Sequence, residues 1–297
     1  MVRPLLFERH MRARSKAFLL VSVLALAAGS GCAVDTSAGD ADDEDAEEVV
    51  ASEGAAISGS SLRVMTYNIK YGSESGLDLG KLAAVVKESS PDIVGLQEVD
   101  EATRRSGNKH ETDELATLTG MAYRYFGANF DYDGGKYGLA ILSKYPLANT
   151  RTIRLDARTK RENGYEPRIA VAADVNAKGR TITFVTVHAS LHEEERDDNA
   201  RAIVAALGAS ASRSIVCGDF NETPGKAIGD ALTGAGMVDA FDEKHRFQLG
   251  FTVPASFPIR RIDFIYRGKS FGKTAHAWVP STKASDHRPV AAVIPLP

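Results

Sequence analysis

The sequence predicts one mixed α/β domain over residues 62–297, and three observations carry that prediction. Short runs rich in Val, Ile, Leu and Thr recur from Leu62 to Ile294. Amphipathic stretches with helical spacing fall between several of them. No internal repeat and no shift in composition divides the region.

The elements follow in order. Residues 62–69 read as a strand, opening with Leu62, Val64 and Thr66 in alternation. Asp78 then caps a helix whose Leu79, Leu82, Val85 and Val86 share one face. Ser90-Pro91 stops it, and residues 92–96 form a short buried strand ending at Gln97-Glu98. A second helix is expected over 113–120. Strands are expected at 140–142, 168–175, 181–188, 215–217, 261–266 and 289–294, with an amphipathic helix over 194–207 between two of them. Cys217, in the run Ser214-Ile215-Val216-Cys217, reads as a small buried hydrophobe.

Ahead of the domain lie two segments of another kind. Residues 1–31 carry five basic residues and one acid, and Arg12, Arg14 and Lys16 precede an apolar run over 17–28. That is the anatomy of an export signal, too short to read as a spanning helix. Gly29-Ser30-Gly31-Cys32 resembles a lipobox, so Cys32 is the expected site of acylation and membrane anchoring; plain secretion is the alternative. Residues 32–61 hold nine acids and no Lys or Arg, the composition of an acidic, disordered tether. With these removed, the overall charge of −3 becomes about +2 for residues 62–297. A charge near +2 gives little sign of a strongly basic nucleic-acid-binding domain, though a metal and a local basic stripe would suffice.

Several strands end in polar clusters that a plain core would not hold: Asn68, Glu98, His188, Asp219 with Asn221, Asp263, and Asp286 with His287. Carboxylates and amides at strand ends converge where α/β sheets place their sites. Asn68, Glu98, Asp219, Asn221 and Asp286 offer oxygen, which suits a hard cation such as Mg²⁺, Mn²⁺ or Ca²⁺. Zinc motifs, a phosphate-binding Gly-rich loop and a Gly-x-Ser-x-Gly elbow are all missing from the sequence. Asp263 with His287 supplies a carboxylate able to orient an imidazole toward water.

Thr-Tyr-Asn68-Ile, Leu-Gln-Glu98-Val, Val-His188, Gly-Asp219-Phe-Asn221, Arg-Ile-Asp263 and Ser-Asp286-His287-Arg-Pro occur in that order. Their ordered conjunction resembles the endonuclease/exonuclease/phosphatase superfamily of DNase I-like phosphoesterases, over 62 to about 294. The resemblance implies a four-layer α/β/β/α sandwich. It implies Glu98 as principal metal ligand, with Asn68 and Asp286 completing the metal's surroundings and Mg²⁺ as the expected ion. His287, oriented by Asp263, becomes the general base, while Asp219 and Asn221 position the water; Asp219 as the base is the alternative. His188 is expected on the phosphate or leaving group, and Arg168 in Glu166-Pro167-Arg168 on the phosphate. Arg105, with Arg104 and Lys109, follows Glu98 closely enough to reach a substrate phosphate.

The implied reaction is metal-assisted attack of water on a phosphodiester. Nucleic acid is the substrate expected first and a phospholipid or sphingolipid head group second. A non-catalytic surface binding protein on the same fold is the reading from another class. Such a protein would be expected to lose Glu98, Asp263 or His287, and all three are present.

Overall fold

A computed structural model describes residues 60–157 and 165–297, within one compact unit. Cys32, the export signal and most of the acidic tether lie outside the described residues.

The described residues form two six-stranded sheets. The first contains β1 (Ser61–Asn68), β2 (Ile93–Glu101), β3 (Tyr123–Tyr132), β4 (Gly135–Ser143), β11 (His276–Trp278) and β12 (Val290–Pro295), in the order β11-β12-β1-β2-β4-β3. The second contains β5 (Leu147–Arg154), β6 (Ile169–Ala177), β7 (Arg180–His188), β8 (Ser214–Asp219), β9 (Val238–Asp239) and β10 (Asp263–Arg267), in the order β5-β6-β7-β8-β10-β9. The helices are α1 (Leu79–Ser89), α2 (Glu111–Thr119), α3 (Glu193–Leu207), α4 (Ala227–Gly234) and the short α5 (Ala240–Lys244).

Alternation along the strands builds the layers. On β1, Leu62 and Val64 face the second sheet, while Met65 and Tyr67 face the helices. The apolar core between the sheets joins Val64, Ile93 and Ile141 to Val171, Phe184 and Ile265. A second core lies under α1 and α2, where Leu79, Leu82 and Leu115 meet Val94 and Leu142. A third lies under α3 and α4, where Ile203, Leu207 and Leu232 meet Val185 and Val216. Three cores separate four layers, which is the expected sandwich.

Gly95 sets how closely the sheets approach. A Cβ there would stand 2.6 Å from the Thr186 hydroxyl and 2.9 Å from the Cys217 sulfur. Cys217 is fully buried, and burial pushes its thiol up to about 12, so it is an inert filler as expected.

Each sheet carries one parallel pair, joined by a helical crossover: β1-α1-β2 in the first and β7-α3-β8 in the second. Both pairs end at the same end of the sandwich. Asp78 accepts from the Gly80 N–H at 2.9 Å and starts α1, and Ser90 closes it in the left-handed region. Strands β3, β5, β9 and β11 and helices α4 and α5 are additions to the sequence expectation. β3 and β5 are edge strands with mostly half-exposed or exposed side chains, so they lack a run of buried residues.

Candidate active site

The polar residues that end the strands are brought together by register. In the parallel pair β7-β8, His188 lies opposite Asp219, and in the antiparallel pair β8-β10 Asp219 lies opposite Asp263. Ile169 pairs with His188, which seats Arg168 beside the imidazole. In the first sheet Asn68 lies opposite Gln97, and a bulge between Leu96 and Val99 breaks the pairing of β2 with β4. Glu98 sits in that bulge with φ of 56°, a strained conformation that turns its side chain away from the regular pleat.

Below the site the sheet interface turns polar. Gln97 donates to the hydroxyls of Thr66 at 3.0 Å and Thr186 at 2.7 Å, one from each sheet. Above it, Asn68 Nδ2 donates to Glu98 Oε1 at 2.9 Å and to Asp219 Oδ2 at 3.1 Å, joining carboxylates of opposite sheets. The Asn68 side-chain oxygen accepts from the Lys70 N–H at 3.1 Å. Asn68 thus holds two carboxylates in place through its nitrogen. Acting as an oxygen ligand, the expected role, would require its amide to turn and lose these bonds.

His287 Nδ1 lies 2.9 Å from Asp263 Oδ2, and its Nε2 lies 3.7 Å from Asp219 Oδ2. Burial opposes a charged imidazole here, but the Asp263 and Asp219 carboxylates and the Asp263 hydrogen bond outweigh it and push His287 up to about 10. Burial, reinforced by Asp263 and opposed by His287, pushes Asp219 up to about 7. Asp219 Oδ1 accepts from the Asn221 N–H at 2.8 Å, and Asn221 Nδ2 donates to the Ala189 carbonyl at 3.0 Å. Asn221 holds the turn with φ of 53°, a conformation that asparagine tolerates.

His188 is buried with the Arg168 Nη1 3.3 Å from both ring nitrogens. Burial first, and Arg168 second, hold its imidazole well below the usual histidine range, so it is neutral at neutral pH. Arg168 is therefore the fixed positive charge of the site, while the charge on His287 is favoured by its carboxylate neighbours. The Arg168 Nε is buried without a hydrogen-bond partner among the described residues, and Glu166 pairs with its Nη1 at 3.3 Å.

Arg105 is placed elsewhere. It grips Asp100 through two hydrogen bonds of 2.7 and 2.8 Å, and its guanidinium lies 3.7 Å from the Tyr71 ring centre and 4.3 Å from that of Tyr132. With its fork closed on Asp100 it serves the fold, which corrects the expectation of a phosphate ligand. Arg104 pairs with Asp133 at 2.8 Å, and the Lys109 ammonium donates to the Leu77 carbonyl. Lys70 was not singled out by the sequence reading, yet its ammonium lies 2.9 Å from Asp286 and 2.7 Å from Glu74. The Asn68-Ile69-Lys70 spacing was its only signal.

The donor set fits a hard divalent cation. Burial pushes the Glu98 carboxyl up from its ordinary value, only partly offset by Asn68 and His287. Its one described hydrogen bond reaches Oε1 and leaves Oε2 without one among the described residues, and the Asp286 charge acts on the same carboxyl. A cation there would relieve the cost of burying that charge. Asp219, Asp263 and His287 also bring one potential ligand atom each within 4.8 Å of one another. Since Nδ1 of that imidazole already meets a carboxylate, hydrogen bonding accounts for this second group.

Known proteins share this fold. The model of the endonuclease/exonuclease/phosphatase family matches residues 65–287. The uncharacterized protein YbhP of Escherichia coli is 30% identical over 256 residues, covering 80% of this chain and 97% of YbhP. Among solved structures, a family protein from Bacteroides thetaiotaomicron superposes with a TM-score of 0.67 at 20% identity, covering 80% of this chain and 99% of its own. The mannosyl-6-phosphatase of the same organism gives 0.65 at 20% identity, covering 78% and 99%. The catalytic domain of human Nocturnin gives 0.61 at 21% identity, covering 79% and 93%. Family members are phosphoester hydrolases, generally dependent on a divalent metal. The fold, the matched span and the YbhP relationship place this chain in the endonuclease/exonuclease/phosphatase family.

Proposed function

We propose that the protein is an exported, divalent-metal-dependent phosphodiesterase. The observation that carries this reading is the chain Asp263–His287–Asp219–Asn68–Glu98, which links a histidine beside two acids to a half-buried carboxylate that makes no ion pair among the described residues.

Glu98 and Asp286 would hold the metal, Mg²⁺ in the first instance with Mn²⁺ or Ca²⁺ as alternatives. When bound it would supply charge neutralisation at the phosphoryl oxygens. Asp263 fixes the tautomer and direction of His287, leaving Nε2 toward Asp219 and the open site. Because the two groups lie 3.7 Å apart and each shifts the other's proton affinity, the Asp219–His287 pair rather than either residue alone accepts the proton of the attacking water. Asn221 fixes the Asp219 carboxylate through its backbone N–H. Arg168 supplies a fixed charge for a non-bridging phosphoryl oxygen, and neutral His188 contributes a hydrogen bond.

Nucleic acid and phospholipid head groups both contain such a diester. The sequence motifs rank nucleic acid first. Segment 244–260, which exposes apolar side chains beside the Asp286 backbone, is the observation that favours a lipid head group. The export signal and Cys32 support a membrane-anchored location outside the cytoplasm, with secretion as the alternative.

Purified full chain with bis(p-nitrophenyl) phosphate and p-nitrophenyl phosphate tests the reaction class. Faster turnover of the diester, abolished by EDTA and restored by Mg²⁺, is expected. No turnover of either with Mg²⁺, Mn²⁺ or Ca²⁺ would remove the reading.

A further inference from the structure

Among the described residues, four of the seven large hydrophobics that stand exposed fall within one window of the chain: Phe247 at 96% exposure, Leu249 at 66%, Phe257 at 75% and Ile259 at 55%. A folded surface rarely concentrates large apolar side chains this way without a use. The same stretch contains Lys244, Arg246 and Arg260 and no Asp or Glu between residues 244 and 260. All three cations are exposed, and no ion pair among the described residues engages them.

The segment is tied to the active-site loop. The Ala255 N–H donates to the Asp286 carbonyl at 2.7 Å, and the Arg288 N–H donates to the Thr252 carbonyl at 2.8 Å. Arg288 Nε donates to the Ala255 carbonyl at 2.9 Å, and Val253 bridges Arg260 to close the loop on itself. A cavity of about 490 Å³ lies between the segment and β11, lined by Gln248, Phe251, Pro258, Trp278 and Arg288. The loop therefore stands at the strand ends where Asp286 and His287 lie, with its apolar tips directed to solvent.

We propose that segment 244–260 docks the protein on an anionic phospholipid surface. Phe247, Leu249, Phe257 and Ile259 enter the head-group region, and Lys244, Arg246 and Arg260 meet the lipid phosphates. Separate apolar tips flanked by cations, free of acidic neighbours, match the chemistry of such a bilayer. Docking at this edge brings the Asp286–His287 loop to the head groups, so the proposal rests on the phosphodiesterase reading only for its consequence and not for its binding.

The test uses the full chain with Cys32→Ser, so that no acyl chain contributes, and a solvatochromic label at Phe257→Cys. The control label sits at Lys178→Cys, in the turn at the other end of β7 from His188. Vesicles of phosphatidylethanolamine with phosphatidylglycerol should shift the label at 257 to the blue and leave that at 178 unchanged. Arg246→Glu and Arg260→Glu should each weaken vesicle binding by about fivefold or more, while soluble diester hydrolysis stays unchanged. Unshifted emission at 257, or equal shifts at both sites, would overturn the proposal. So would a shift that needs no vesicles and grows with protein concentration, because a second copy would then be the occupant. A protein that shows the shift at 257 but hydrolyses no diester would keep the docking surface and lose the proposed reaction.

Discussion

Glu98 and Asp100 stand two residues apart on β2, yet they end in opposite situations. Asp100 is fully buried and every direction around it is matched. Arg105 closes on both of its oxygens, the Thr103 hydroxyl donates to Oδ2 at 2.6 Å, and its own N–H is taken by Glu111 at 2.8 Å. Tyr71 and Tyr132 then cover the Arg105 guanidinium. Glu98, displaced by the bulge, receives one hydrogen bond from Asn68, feels the charge of Asp286, and makes no ion pair among the described residues. Asp100 is fully buried and Glu98 half-buried, and both charges are costly to desolvate. The first is balanced inside the fold and stiffens it, while the second is left for something the chain does not itself supply.

Breaking the balanced cluster should have the largest effect on folding. Asp100→Ala leaves the half-buried Arg105 without its carboxylate and should cost about 3 kcal/mol in urea denaturation. Diester turnover per folded molecule should change little. If turnover is lost while stability holds, the division between the two clusters is wrong.

Glu111 gives the same cluster a pH signature. Burial, with Asp100 adding to it, pushes its carboxyl up to about 8 against an ordinary value of 4.5. Between about pH 4.5 and 8 the folded state keeps a proton that the unfolded chain has released, so stability falls as pH rises through that window. The fall should be on the order of 3 kcal/mol in denaturation midpoints taken across the range, and Glu111→Gln should flatten it. An unchanged slope in that variant would assign the pH dependence elsewhere.

The open cluster should respond in rate instead. His287→Ala removes half of the proton-accepting pair and should lower kcat by about 10²-fold or more with the soluble diester. Its melting temperature should move far less than that of Asp100→Ala. Arg168→Lys keeps the charge but loses the fork and should reduce kcat/KM about tenfold, the smallest of the four effects. A loss as large as that of His287→Ala would make Arg168 more than a phosphate ligand.

Much of this is legible in the sequence. Strand ends that carry Asn68, His188, Asp219 and Asp263 point to one edge as soon as the strands are recognised, because a carboxylate at the end of a buried strand has few other reasons to be there. The parallel pairs follow from helices placed between strands. Other features depend on geometry that a sequence does not display. The bulge at Glu98 sets that side chain apart from Asp100, and nothing in Glu-Val-Asp says which acid stays open. Arg105 carries the right chemistry for phosphate, but Asp100 lies five residues earlier and on the same side. Lys70 reaches Asp286 across 216 positions of chain. The edge strands β3 and β5 were missed because half-exposed polar and aromatic side chains blur the alternation that marks a strand.

The central claim is that Glu98 is the open acid and holds the metal. Mg²⁺ titration of bis(p-nitrophenyl) phosphate hydrolysis, run side by side on the full chain and on Glu98→Gln, tests it most directly. The account predicts a saturable Mg²⁺ dependence in the first. In the variant it predicts a rate lower by about 10²-fold or more, with no saturation over the same range. A variant that keeps both the rate and the Mg²⁺ dependence of the parent chain would contradict it.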